Sequence, residues 1–254
     1  MNLHFKDKKV FICSGDTDLG AACVIEFLNE NAQVNTTALS IKKIERLFKK
    51  FNGDISHKNL KIHEADITNF NDINLLEDQI KKSEVLITHT PSPASGDFIQ
   101  WNEKDWLNAL NNNLVSVIKI INLALPEMNK KKLGSILNIS SMTTLYPMNN
   151  LELSTASRTA LEGFIKSIAK KNEFPNVSIN SILPGYFLTD SLEQYLNNQT
   201  ESKKNIIESE LLNKIPAGRF GNPKEFAKAC CFLCSHHASF FKGQSFLMNG
   251  GQVT

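Results

Sequence analysis

Side chains able to do chemistry gather in a few short strings. Ser154 and Arg158 stand four apart in the stretch Ser154 to Lys170, whose apolar spacing predicts a helix, so both lie on one face. Arginine keeps its charge and donates through a planar fork, which suits it to a ribose or a carboxylate. A serine hydroxyl lacks the resonance that makes phenol acidic and is a poor proton donor. Tyr146 lies five residues after Ser141, in the loop from Met142 to Asn150, and is the phenol within reach of the same region. Packing is the commoner role of a loop aromatic, and proton transfer demands geometry first. His89 follows a buried apolar run and carries an imidazole that titrates near pH 6.5. Asp16 and Asp18 flank the opening of another predicted helix, with Asp18 expected as its N-cap, filling the positive end with carboxylate.

Cys231 and Cys234 form a CxxC, but the string FAKACCFLC is helical in pattern and lacks a second ligand pair. With Cys13, Cys23 and Cys230 they read as buried small hydrophobes, and no metal site is expected.

These residues need a scaffold, and the chain alternates strand and helix patterns to supply one. Strands are expected at Val10–Cys13, within 31–38 after a turn, at Leu60–Ala65, Val85–Thr88, Ser135–Ile139, Val177–Ile182 and Ser245–Met248. Helices are expected between them at Leu19–Leu28, Ile41–Phe51, Ile73–Lys82, Glu103–Met128, Ser154–Lys170 and Pro223–Cys234. A polar, helix-rich stretch runs from Thr189 to Leu212. Such alternation predicts an α/β fold: a single doubly wound Rossmann-type domain over residues 1–254, a parallel sheet with helices on both faces. Ligands of such sheets bind beyond the carboxyl ends of the strands, where the strand order reverses.

The chain of 254 residues has 28 basic and 26 acidic side chains, a formal net charge of +2. That balance, with no basic stripe interleaved with aromatics, argues against a nucleic-acid partner. The start, MNLHFKDKK, turns charged before an apolar region forms, and no apolar run approaches the roughly 20 residues of a membrane span. The expectation is a soluble, cytoplasmic protein with no membrane partner.

Several strings then stand in a familiar order: Asp66-Ile67, Asn113-Leu114, Asn138-Ile139-Ser140-Ser141, Pro184-Gly185 with Thr189, IPAGRFG from Ile215 to Gly221, and Gly250-Gly251. In order and spacing, over almost the whole chain, they resemble the short-chain dehydrogenase/reductase family, and within it the 3-oxoacyl-(acyl carrier protein) reductase-like members. The resemblance implies a nicotinamide dinucleotide, a carbonyl or alcohol substrate, and a homodimer or homotetramer. It also implies roles for Asn113 in a proton relay, Ser141 in orienting a carbonyl, and Asp66, Ile67, Pro184, Gly185 and Thr189 around the cofactor. A helical substrate-loop region is implied at about 186–215, with Tyr186, Phe187, Leu188, Leu192, Tyr195 and Leu196 as pocket or packing residues.

The departures from the family fall in the site. Thirteen residues after Ser141, where the family has its proton-transferring tyrosine, stands Ser154; four later, in place of lysine, stands Arg158. The family's TGxxxGxG falls on CSGDTDLG, Cys13 to Gly20, so that Ser14 and Asp18 replace two glycines while Leu19 and Gly20 are kept; a one-residue gap would put Gly15 first instead. The loop is then either a reshaped cofactor cradle or an ordinary helix cap on a domain that no longer holds the ligand. No carboxylate follows the second strand, where Ser40, Lys42 and Lys43 favour NADP(H) over NAD(H) if a dinucleotide binds. Two functions remain open: an NADP(H)-linked oxidoreductase with a reduced or altered site, and a non-catalytic relative that binds or scaffolds.

Overall fold

A computed structural model describes residues 1–253. Seven strands, β1 (Lys9–Ile12), β2 (Gln33–Ala38), β3 (Leu60–Glu64), β4 (Val85–Thr88), β5 (Gly134–Ile139), β6 (Val177–Pro184) and β7 (Ser245–Met248), form one sheet. Its order is β3-β2-β1-β4-β5-β6-β7, and every pairing is parallel. The chain steps outward from β1 to β3 and then crosses back to β4, so the order reverses between β1 and β4. That is the switch point at which a crevice opens beyond the strand ends.

The helices are α1 (Asp18–Asn29), α2 (Ile41–Phe51), α3 (Phe70–Leu75), α4 (Glu77–Lys82), α5 (Glu103–Leu110), α6 (Ser116–Lys130), α7 (Glu152–Ala169), α8 (Asp190–Asn197), α9 (Glu201–Asn213) and α10 (Pro223–Cys234). Alternate strand residues face opposite layers. Val10 and Ile12 enter one buried cluster with Phe27, Phe48 and Phe226 from α1, α2 and α10. Phe11 and Leu86 enter the other, with Ile80, Ile121 and Leu161 from α4, α6 and α7. All five cysteines are free and buried, as expected. Among the described residues no helix is long and apolar enough to cross a membrane.

Three expected helices are corrected. Glu103–Met128 is not one α-helix: a π-helical turn at Asn111–Val115 separates α5 from α6, which runs on to Lys130. Ile73–Lys82 begins at Phe70 and breaks at Leu76, which ends α3 and precedes α4. Thr17, not Asp18, caps α1: its hydroxyl accepts from the Gly20 amide at 3.1 Å, and Asp18 is the first helical residue. Threonine and aspartate are both good caps, and their adjacency concealed which one takes the extended backbone.

Candidate active site

The turn between β1 and α1 is built for close backbone approach. Ser14 adopts φ 55°, a left-handed conformation that favours glycine. Its amide donates to Thr37 Oγ1 at 2.9 Å and its hydroxyl to the His89 carbonyl at 2.9 Å, fastening β1 to β2 and β4. A Cβ on Gly15 would overlap Thr36 Oγ1, and one on Gly20 would overlap the Ser14 carbonyl oxygen. Both glycines are therefore required by space.

The two aspartates of this turn are engaged. Asp16 Oδ2 accepts from the Leu39 amide at 3.1 Å. This corrects the expectation that no carboxylate stands at the end of β2, since one arrives from the β1–α1 turn. Asp18 is buried, takes the Asp190 amide on Oδ2 at 3.1 Å and meets Lys50 Nζ on Oδ1 at 3.2 Å. Lys50 also reaches Asp190 at 2.9 Å and Glu193 at 3.2 Å, while Arg46 pairs with Asp190. Burial opposes the charge on Lys50, but the bonds to Asp190, Glu193 and Asp18 raise its pKa above the ordinary value. The start of α8 is thereby docked on the start of α1.

Arg158 is buried on α7, one turn after Ser154. Its Nε donates to Ser154 Oγ at 3.2 Å, Nη1 to the Ile139 carbonyl at 3.4 Å and Nη2 to the Thr90 carbonyl at 3.0 Å. Thr90 in turn donates its hydroxyl to Asn113 Oδ1 at 2.7 Å, and Asn113, in the π-helical turn, donates through Nδ2 to the Ala109 carbonyl of α5. Ser154, Arg158 and Asn113 are thus brought together, with Thr90 as the link. Burial lowers the Arg158 pKa to about 10, with Glu162 opposing, so the cation persists at neutral pH. Glu162, a turn further along α7, accepts from Asn138 Nδ2 at 3.4 Å and Ser245 Oγ at 2.8 Å. Burial, and after it the Arg158 charge, pushes His89 down to about 3.

Other expected site residues serve local structure. Ser141 Oγ accepts from the Thr143 amide at 3.2 Å and its hydroxyl at 3.0 Å, closing a short 3-10 turn over Met142–Thr144. Tyr146 is half-buried just beyond that turn, its amide donating to the Met142 carbonyl at 3.0 Å. Ser40 caps α2 and Thr189 caps α8. Asp66 Oδ1 accepts from the Thr68 amide and hydroxyl at 2.8 and 2.7 Å, and Ile67 is buried. Pro184 ends β6, and Gly185 presses against Asn249. Leu19 is buried in α1. Lys42 and Lys43 are exposed, and the Lys43 charge contributes to the depression of His89. A cleft of about 330 Å³ opens at the strand ends, lined by Leu39, Asp66, Pro91, Trp101, Asn113 and Leu153 among others.

The family model described as enoyl-(acyl carrier protein) reductase matches residues 15–252. The chain belongs to the short-chain dehydrogenase/reductase family and is 3-oxoacyl-(acyl carrier protein) reductase-like. It is similar to the 3-oxoacyl-[acyl-carrier-protein] reductase FabG of Thermotoga maritima, 26% identical over 99% of this chain and 100% of that protein. FabG of Haemophilus influenzae is 28% identical over 96% of this chain and 97% of its own length. The fold matches L-sorbose reductase of Gluconobacter frateurii, solved with NADPH and L-sorbose, at a TM-score of 0.88, 18% identity and coverage of 100% and 99%.

In this short-chain dehydrogenase/reductase the groups that sequence reasoning missed are Thr90, Glu162 and the Lys50–Asp190 pair. Glu162 carried a signal, its spacing of four from Arg158 on one helix face. The other two are made by loops and by contacts across more than 100 residues, which no local pattern encodes. The residues present fit a nicotinamide dinucleotide: at Gly15 and Gly20 the turn has no space for a Cβ, and the cleft at the strand ends is open. His89 Nδ1 and Ser140 Oγ, just past β4 and β5, and Thr155 Oγ1 on α7 are also buried without a hydrogen-bond partner.

Proposed function

We propose that this chain is an oxidoreductase that uses a nicotinamide dinucleotide, NADP(H) ahead of NAD(H), to interconvert a carbonyl and an alcohol at a low rate. The observation that carries the reading is the cradle at the opening of α1, where Ser14 takes the left-handed turn and Gly15 and Gly20 leave no space for a Cβ, beside an open cleft at the strand ends. A backbone held this close to a helix amino terminus is the arrangement that receives a pyrophosphate.

Ser14, Leu19 and Gly20 would hold the phosphates, Asp66 and Ile67 the adenine side, Ser40 with Lys42 and Lys43 a 2′-phosphate, and Pro184, Gly185 and Thr189 the opposite wall. When bound, the dinucleotide supplies or accepts the hydride. Ser141 would orient the carbonyl, and Asn113 would support the proton relay. Arg158 contributes a fixed positive charge in a buried site, where it stabilises oxygen that becomes negative. Ser154 accepts from Arg158 Nε, which leaves its own proton to point elsewhere. Without the phenol of the family, proton delivery is slowed by about 10²- to 10⁴-fold. A cytoplasmic homodimer or homotetramer acting on a small molecule, without nucleic acid or membrane, completes the proposal.

A second reading, a non-catalytic binding or scaffold protein, is favoured by one observation: Asp18 fills the start of α1 and is tied to the start of α8 by the Asp190 amide and Lys50. Transfer of deuterium from 4-deuterated NADPH into a panel of carbonyl compounds, 3-oxoacyl thioesters included, separates the two. The expected result is slow, stereospecific incorporation at carbon. Binding of NADPH with no incorporation into any member would establish the second reading.

A further inference from the structure

The opposite end of the sheet, where β1, β4, β5 and β6 begin, carries a second cleft of about 730 Å³. His4 and His236 line it, beside Lys8, Glu84 and Ser135. With His237 they bring three of the chain's six histidines to one place, although 232 residues separate the first from the second. One imidazole nitrogen from each lies within 4.8 Å of the others. The ring centroids are 3.8 Å apart for His236 and His237, 5.0 Å for His4 and His236, and 6.2 Å for His4 and His237.

This meeting is built rather than incidental to a loose end. Phe5 is buried and stacks edge-on against Phe27 of α1 at 4.9 Å, and the Asp7 amide donates to the Asn31 carbonyl at 3.0 Å. These contacts pin the segment that carries His4. His4 itself takes φ 60°, a conformation disfavoured outside glycine, with its amide held by Asn2 Oδ1 at 2.9 Å. His236 and His237 open a short 3-10 turn just past α10. His237 Nε2 stands 3.0 Å from the Asn2 carbonyl oxygen. In the donor role that bond fixes the tautomer with the proton on Nε2 and leaves Nδ1 with its lone pair, the usual orienting contact of a ligating histidine.

Three protonated imidazoles this close repel one another, whereas each neutral imidazole offers one nitrogen lone pair to a cation. We propose that His4, His236 and His237 form a three-imidazole site for a divalent transition cation of the zinc class, tying the amino-terminal segment to the end of α10. The donor set is all nitrogen, which suits zinc, copper or nickel and not calcium or magnesium, which take oxygen ligands. Zinc-to-nitrogen distances of about 2.0–2.1 Å require nitrogens about 3.4 Å apart in a tetrahedron. Rotation of three exposed rings closes the remaining gap. The fourth position is left for water or for a ligand.

The test uses the full chain, stripped of metal, titrated with zinc in competition with a chromophoric chelator. One zinc per chain is expected, with a rise in melting temperature that His4→Gln and His237→Gln each abolish, weakening binding at least tenfold. His57→Gln, at a half-buried histidine just before β3 and outside the cluster, should leave the affinity unchanged. The variants should melt like the parent without metal, because the substituted rings are exposed. Zinc binding of equal strength in the His4→Gln/His236→Gln/His237→Gln variant would overturn the proposal. So would no binding at all in the parent, or one zinc per two chains with parallel dimer formation.

Discussion

The Arg158 guanidinium donates through Nη2 to the Thr90 carbonyl oxygen at 3.0 Å, bridging α7 to the loop that leaves β4. Through the Thr90 hydroxyl the bridge continues to Asn113 at 2.7 Å, so three elements that converge on the switch point are locked by one buried cation and one hydroxyl. A lysine reaches as a point charge; the arginine fork satisfies two carbonyls and the Ser154 oxygen together. The position thus combines an electrostatic role with a structural one.

Restoring the family's pair should expose the chemical deficit. Ser154→Tyr with Arg158→Lys is expected to raise carbonyl reduction by about 10²- to 10⁴-fold if a positioned phenol is what the site lacks. Steady-state rates with NADPH measure it. A double variant that folds, binds NADPH and is no faster would locate the deficit elsewhere.

Removing the fork should also cost stability. Arg158→Met leaves the Thr90 and Ile139 carbonyls without their side-chain donor, and the loss of one such bond at a buried acceptor is worth about 1–3 kcal/mol. Urea unfolding should show a lower midpoint with little change in slope.

Gly15→Ala should destabilise through overlap alone. The added carbon meets Thr36 Oγ1, which is fully buried and donates to the Ile12 carbonyl at 2.8 Å, so the threonine cannot turn aside without losing that bond. An overpacking cost of about 1–3 kcal/mol is expected in chemical unfolding. A neutral effect would mean that the turn relaxes.

His89 makes stability fall with acid. Its folded pKa of about 3 lies below the ordinary 6.5, chiefly through burial, so the unfolded chain binds the proton more readily. The stabilisation is complete above about pH 6.5 and is lost as pH falls from there toward 3. His89→Gln should flatten the stability profile in that window; the partly buried His63, whose pKa is lowered by burial and by Lys61, contributes in the same direction and remains in both proteins.

Lys50→Met should loosen α8. It leaves Asp18, Asp190 and Glu193 together with only Arg46 on Asp190. Amide exchange at Asp190 and over 191–197 should quicken. The half-exposed network supports a loss of only roughly 1 kcal/mol in global stability. Unchanged exchange would show that apolar contacts hold the helix.

The fold was legible because period-two and period-3.6 patterns alternate so regularly that the sheet, its parallel sense and both core layers follow from Val10, Phe11 and Ile12 onward. The π-helical turn was not, since Asn111 to Val115 continue the helical apolar spacing and only the backbone bonds differ. At the site, the substitutions at Ser14, Asp18, Ser154 and Arg158 were visible as residue types. Their settings were not. The Asp16 carboxylate reaches the end of β2 from another turn, and Asp18 is satisfied by an amide 172 residues away. Such pairings are made by tertiary closure.

Asp16 also bears on cofactor choice. It opposes the preference for NADP(H) that Ser40, Lys42 and Lys43 support, because a carboxylate at the end of β2 suits ribose hydroxyls and repels a 2′-phosphate; Asp16→Ser is therefore expected to tighten NADPH about tenfold relative to NADH. Parallel titrations with both cofactors measure the ratio, and no change would remove Asp16 from the cofactor site.

Calorimetric titration of the full chain with NADPH asks most directly whether the strand ends still hold a dinucleotide. One binding event per chain below millimolar concentration is the expected result, given the glycine-lined turn and the open cleft. Absence of binding by NADPH and NADH alike at millimolar concentration would contradict it.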